Sequence, residues 1–141
     1  YLIDGKVVAV DYSENMIELA RSKYSEKNHQ AISYLVSDVY ELNYNSEFDL
    51  VVCYSCFPYF VDQPLALNIL TKALRRGGRL VVAHSDSAKK INGVHMSGGV
   101  EIENDFLPNM DLLKKMMRQS GLEVTFERDD EDYFICIAKK P

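Results

Sequence analysis

The sequence predicts an α/β domain with a mostly parallel sheet and a C-terminal antiparallel hairpin. Three observations carry that prediction. Short, continuously apolar runs such as Lys6–Val10 suit parallel strands buried on both faces. Segments of helical spacing alternate with them, as βαβ units require. Near the end, two strand-like segments are separated only by Asp129-Asp130-Glu131-Asp132. So short a connection forces an antiparallel pair.

Taken in order, the first strand covers Lys6–Val10 and ends at Asp11. Ser13 is placed to cap the next helix, with Glu14 in its first turn. Met16, Ile17, Leu19, Ala20 and Tyr24 follow at helical spacing, so a helix is expected over 14–27. Ile32–Val36 and Phe48–Tyr54 are the second and third strands. Asp62 and Pro64 mark a helix start, and Leu65, Ile69, Leu70, Ala73 and Leu74 its apolar face. Gly77-Gly78 is expected to stop that helix, with Arg75-Arg76 near its C-terminal end. Arg79–His84 is the fourth strand. Ser85–Ile91 is expected to hold a short helix, followed by loops at Gly93, Gly98, Gly99 and Pro108. A last helix is expected over 109–120, then strands at Leu122–Arg128 and Tyr133–Lys139. The acidic stretch 129–132 reads as a solvated turn.

Composition narrows the function. The 141 residues carry a net charge of −5, with no basic face for phosphate contacts, so no nucleic-acid partner is expected. No apolar run approaches the ~20 residues of a membrane span. The N-terminus has no basic region followed by a small-residue cleavage site, which gives a cytoplasmic expectation. Cys53-Tyr54-Ser55-Cys56 spells C-x-x-C, but zinc needs about four ligands and no second paired spacing supplies them. Redox catalysis would want the pair at a helix N-terminus. The three cysteines therefore read as small apolar residues, and no metal is expected.

Open sheets of this kind bind ligands beyond the carboxyl ends of their strands. Asp11 stands at such an end, where a carboxylate can accept hydrogen bonds from both hydroxyls of a ribose. Tyr12 beside it can cover an adenine face. Asp38 ends the second strand and reads either as an acceptor for an exocyclic amine, with the Val39 amide beside it, or as a turn-forming residue. The segment Tyr54–Phe60 holds four aromatics in seven residues, as a pocket wall or as core beneath the next helix. His84 ends the fourth strand, where a histidine can act as a base or as a hydrogen-bonded support. His95 falls in the irregular stretch, and His29 reads as exposed.

The stretches VVAVDYSENMIELAR, YLVSDVYEL, FDLVVCYSCFPYF and ALNILTKALRRGGRLVVAHSDS, in this order and spacing, resemble class I S-adenosylmethionine-dependent methyltransferases. FPYF followed by HSDSAKKIN is most similar to a bacterial small-molecule branch. The resemblance implies a Rossmann-like three-layer sandwich with S-adenosylmethionine as cofactor. It implies that Asp11 holds the ribose hydroxyls, that Tyr12 and Met16 flank the adenine, and that Asp38 and Val39 read its edge. Tyr54 and Ser55 would lie near the methionine end, and Tyr59, His84 and His95 toward a small-molecule acceptor. The family's first strand and its loop of the form (D/E)xGxGxG have no counterpart here, and Gly98-Gly99 come far too late. The 141 residues are thus expected to form one incomplete domain, weak or inactive as an enzyme. The absent strand would lie between those at 6–10 and 48–54, leaving two inner edges open to pairing, for instance with a second copy. Methyl transfer from a sulfonium asks for alignment and desolvation more than acid–base groups. Two other readings stand beside this one: a nicotinamide-dependent dehydrogenase half, and a non-catalytic module assembling through its incomplete sheet.

Overall fold

The structure is a computed structural model that describes residues 5–24, 31–97 and 106–141. It divides into an N-terminal unit, Tyr1–Leu42, and a C-terminal unit, Asn43–Pro141.

In the N-terminal unit, β1 (Val7–Asp11) pairs in parallel with β2 (Ile32–Val36), from Val7 opposite Ile32 to Asp11 opposite Val36. The crossover carries α1 (Glu14–Lys23). Ser13 Oγ accepts the Met16 N–H at 3.4 Å and caps the helix. Glu14 lies in its first turn and Arg21 and Lys23 in its last, each complementing the helix dipole. Arg21 ties helix to sheet: it donates to the Tyr34 carbonyl at 3.2 Å, and its guanidinium lies 5.7 Å from that ring's centre. The helix ends earlier than its apolar spacing predicts. Tyr24 leaves helical geometry at φ −131°, and the rest of the expected helix, with His29, lies outside the described residues.

The C-terminal unit holds a four-stranded sheet in the order β3 (Phe48–Tyr54), β4 (Leu74–His84), β6 (Phe134–Lys139), β5 (Glu123–Asp129). β3 and β4 are parallel, whereas β6 inserts antiparallel between β4 and β5. Between β3 and β4 runs α2 (Gln63–Ala73), capped by Asp62 Oδ1 on the Leu65 N–H at 2.9 Å, with Pro64 in its first turn. α3 (Ala88–Ser97) and α4 (Met110–Gln119) follow, the latter capped by Asn109. The core of this unit includes Phe57, Leu67, Leu74, Leu80, Val82, Leu113, Met117 and Phe134, all fully buried.

The pairing leaves the two expected inner edges open: among the described residues β1 pairs only with β2, and β3 only with β4. Two sequence expectations need correction. Gly77-Gly78 does not end α2. The helix stops at Ala73, and strand geometry begins at Leu74, so Arg75 and Arg76 lie in β4 rather than in a last helical turn. The carbonyls at the helix end are met from elsewhere: those of Lys72 and Ala73 accept the Ser46 and Glu47 N–H groups (2.9 Å each), and Lys140 Nζ donates to those of Thr71 (2.9 Å) and Leu74 (2.7 Å). The glycines serve an irregularity in the β3–β4 pairing, where Phe48 faces Leu74 but Leu50 already faces Arg79. Gly77 takes φ +81°, and a Cβ on Gly78 would sit 2.9 Å from the Arg75 carbonyl oxygen. Finally, the helix expected over Ser85–Ile91 starts later and runs longer, as α3. Its first amide, Ala88 N–H, donates to Asp129 Oδ1 at 3.3 Å, across from the β5–β6 turn.

Candidate functional site

Chemistry-bearing residues gather at the carboxyl ends of parallel strands in both units. In the N-terminal unit, Asp11 closes β1. Its Oδ1 accepts the Ser13 N–H at 2.8 Å, and its carbonyl accepts the Ser37 N–H at 3.0 Å. Asp38 follows β2, and its Oδ1 accepts the Tyr40 N–H at 3.1 Å. This caps a 3-10 turn over Val39–Glu41 that the sequence did not announce. Two carboxylates thus stand at neighbouring strand ends, each fixed through one oxygen by the turn behind it. Asp38 makes the turn contact that its simpler reading required, and Val39 begins that turn. Tyr12 is 78 % exposed and Met16 52 %.

In the C-terminal unit, the Tyr54–Phe60 segment divides between the two readings of its aromatics. Phe57 is fully buried and packs edge-to-face on Phe60, ring centres 5.6 Å apart. Tyr54 and Tyr59 are exposed, at 62 % and 53 %. Ser55 turns the chain at φ +54°, a left-handed conformation uncommon for serine, and its N–H donates to the Ala83 carbonyl at 2.9 Å. His84, the last residue of β4, is 5 % exposed and meets Phe134 edge-to-face at 6.1 Å. Its Nε2 is buried without a hydrogen-bond partner. Burial pushes its pKa below the ordinary histidine value. The ring is thereby a weaker base than a free histidine. His95 falls within α3, and its side chain lies outside the described residues.

Sequence reasoning missed a cleft of about 310 Å³ in this unit, lined by Phe60, Val61, Pro64, Phe106 and Leu112 with Gln63. Gln63 Nε2 donates to the Phe106 carbonyl at 2.8 Å across 43 residues of chain. Its walls come from separate elements, so no local pattern could have shown it. The Tyr54–Phe60 segment was the nearest signal.

The cysteines are free. The Cys53 thiol is hydrogen-bonded to that of Cys56, and this contact together with burial pushes its pKa well up. Burial pushes Cys136 up to about 11. Among the described residues no group of three or more His, Cys, Asp or Glu could hold a metal ion, and no helix is long and apolar enough to cross a membrane.

Parallel strands joined through helices, with carboxylates at their carboxyl ends, define an α/β protein. Comparison with known proteins sharpens this. The family described as "Methyltransferase domain" matches residues 1–82. A malonyl-[acyl-carrier protein] O-methyltransferase of Acetivibrio thermocellus is 31 % identical over 77 residues, covering 55 % of this chain and 26 % of the relative. The O-methyltransferase cnsE of Penicillium expansum is 28 % identical over 127 residues, covering 87 % and 46 %. The chain thus spans from about a quarter to about half the length of these relatives. A solved chain from the complex between a Haloferax volcanii methyltransferase activator and its methyltransferase superposes with a TM-score of 0.80 at 17 % identity, covering 97 % of this chain and 73 % of that one. The chain belongs to this methyltransferase family, and its fold is the Rossmann-like α/β fold of class I S-adenosylmethionine-dependent methyltransferases.

Proposed function

We propose that the protein transfers a methyl group from S-adenosylmethionine to a small-molecule acceptor. The observation that carries this reading is the pair Asp11 and Asp38, on adjacent parallel strand ends in a chain of this family. The donor set fits the cofactor's nucleoside: Asp11 supplies a carboxylate for the ribose hydroxyls, Asp38 and the Val39 amide the adenine edge, and Tyr12 and Met16 its faces. In the same proposal Tyr54 and Ser55 serve the methionine end, and Tyr59, His84 and His95 the acceptor. The bound cofactor supplies an activated methyl group on a sulfonium that is its own leaving group. The chain's residues then have only to orient, to exclude water and to manage a proton. Both relatives described above are O-methyltransferases. An oxygen acceptor gives up a proton, and His84, at the carboxyl end of β4, is the residue we assign to accept it. The apolar cleft beside Phe60 supports an acceptor with an apolar part.

Calorimetric titration tests the reading. S-adenosylhomocysteine is expected to bind more tightly than NAD. Asp11→Asn keeps an acceptor for the Ser13 N–H but removes the charge, and is expected to weaken S-adenosylhomocysteine by about 10- to 100-fold, the range of a charged hydrogen bond. Tighter binding of NAD, or no effect of Asp11→Asn, would overturn it.

We also propose one domain over 1–141, placed in the cytoplasm, with copies pairing through open strand edges. Among the described residues β1 and β3 each have one neighbour, and β3 exposes Leu50, Val52 and Tyr54 along one face. Open edges and exposed apolar strand residues favour pairing between chains. Sedimentation is expected to show dimers at micromolar concentration; a monomer there contradicts the pairing.

A further inference from the structure

Cys53 is the penultimate residue of β3, and Cys56 is the cap of the 3-10 turn Phe57–Tyr59. Between them the chain reverses at Ser55, with φ +54° and its N–H anchored on Ala83. The reversal folds the two side chains back on each other, and their thiols meet in a hydrogen bond. Cys53 lies inside at 3 % exposure, whereas Cys56 is half-buried. Neither residue is needed by the methyl-transfer reading above. Paired thiols already in contact, one reachable from solvent and one behind it, have the layout of an attacking and a resolving cysteine.

We propose that Cys53 and Cys56 form a reversible disulfide when the protein meets a peroxide, which makes this C-x-x-C an oxidation site. The Cys56 sulfur attacks a peroxide oxygen. An S–O bond forms, the O–O bond breaks, and the departing oxygen leaves as water with the thiol proton. The Cys53 sulfur then attacks the sulfenic sulfur of Cys56. The S–S bond forms, the S–O bond breaks, and a second water leaves with the Cys53 proton. Two thiols are oxidised and one peroxide is reduced to two waters. The order follows from exposure, since buried Cys53 is shielded from the oxidant and kept as a thiol. The bridge would lock the turn that carries Tyr54 and Ser55. A dithiol reductant reverses it by exchange. Cys136, fully buried against Met117 with its Sγ 3.5 Å from the thioether sulfur, is an internal control.

The experiment treats the full chain with hydrogen peroxide, then denatures and alkylates it for peptide mass measurement. Untreated protein takes up three alkyl groups, one on each free cysteine. Oxidised protein is expected to take up one, on Cys136, and its peptide holding both Cys53 and Cys56 to be lighter by two hydrogens. Dithiothreitol is expected to restore all three. In Cys53→Ser, Cys56 is expected as a sulfenic acid trapped by dimedone. If that variant does not fold, Cys56→Ser serves instead, with Cys53 remaining alkylatable after peroxide. Retention of three alkylatable thiols, or over-oxidation of Cys56 with Cys53 still free, overturns the proposal. Neither result depends on cofactor binding, so the inference and the methyltransferase reading fail separately.

Discussion

The two units invert the usual relation between core and chemistry. In the N-terminal unit, among the described residues, Ile17 alone is buried, and β1 and β2 are half-buried or exposed along their length. Yet this unit carries both strand-end carboxylates. The C-terminal unit holds a fully buried cluster from Phe57 to Phe134 and a four-stranded sheet. Apolar burial is the main stabilising term, at about 25 cal/mol per Å². The comparison therefore assigns stability chiefly to the C-terminal unit, while the proposed nucleoside contacts fall in the N-terminal one.

The largest expected effect tests that division directly. Leu80, fully buried in β4, cut to alanine is expected to cost about 3–5 kcal/mol in urea denaturation, through lost burial and an unfilled cavity. Ile17→Ala removes comparable bulk, but the half-exposed surroundings of Ile17 can collapse or hydrate. About 2 kcal/mol is expected, the low end for such truncations. Amide hydrogen exchange separates the two: Ile17→Ala should lose protection in β1, α1 and β2 only. Equal costs, with protection lost throughout, would break the comparison.

The same contrast explains what could be read from the sequence. Ile32–Val36 and Phe48–Tyr54 were legible to both ends because each is a short apolar run between polar residues. The start of α2 was legible because Asp62 acts on an amide three residues away. The end of α2 was not. Gly77-Gly78 has the form of a local helix stop, but the carbonyls at the helix end are met by the Ser46 and Glu47 N–H groups and by Lys140, 66 residues beyond Leu74. Of the site, the strand-end positions were legible, since they follow from strand order. The orphaned Nε2 of His84 and the left-handed Ser55 were not, because both depend on neighbours distant in sequence.

A smaller effect comes from pH. Burial lowers the His84 pKa in the folded protein, whereas the unfolded chain keeps about 6.5. Between the two values the unfolded state binds more protons, so stability rises with pH across that window. The His84 contribution is complete above about 6.5 and is lost as pH falls through the folded value. His84→Gln, neutral throughout, is expected to flatten this part of a plot of urea midpoint against pH. Because His84 lies in β4, the acid-induced loss of amide protection should begin in β4 and β6. Loss beginning in β1 and β2 instead would assign the acid sensitivity to the other unit.

The smallest expected effect sets one helix cap against another. Asn109 Oδ1 holds the Leu112 N–H at 2.9 Å, whereas Ser13 Oγ holds the Met16 N–H at 3.4 Å. Cap removal typically costs about 1 kcal/mol. Asn109→Ala is expected near that value, because α4 packs Leu113, Met116 and Met117 into the core and its first turn must stay in place. Ser13→Ala is expected to cost only about 0.5 kcal/mol, the weak end of the range. Its hydrogen bond is long and exposed, and Asp11 Oδ1 already fixes the chain at the Ser13 N–H. If Ser13→Ala proved the costlier of the two, the N-terminal unit would depend on local capping where the other depends on burial. The division of labour would then rest on a different physical term in each half.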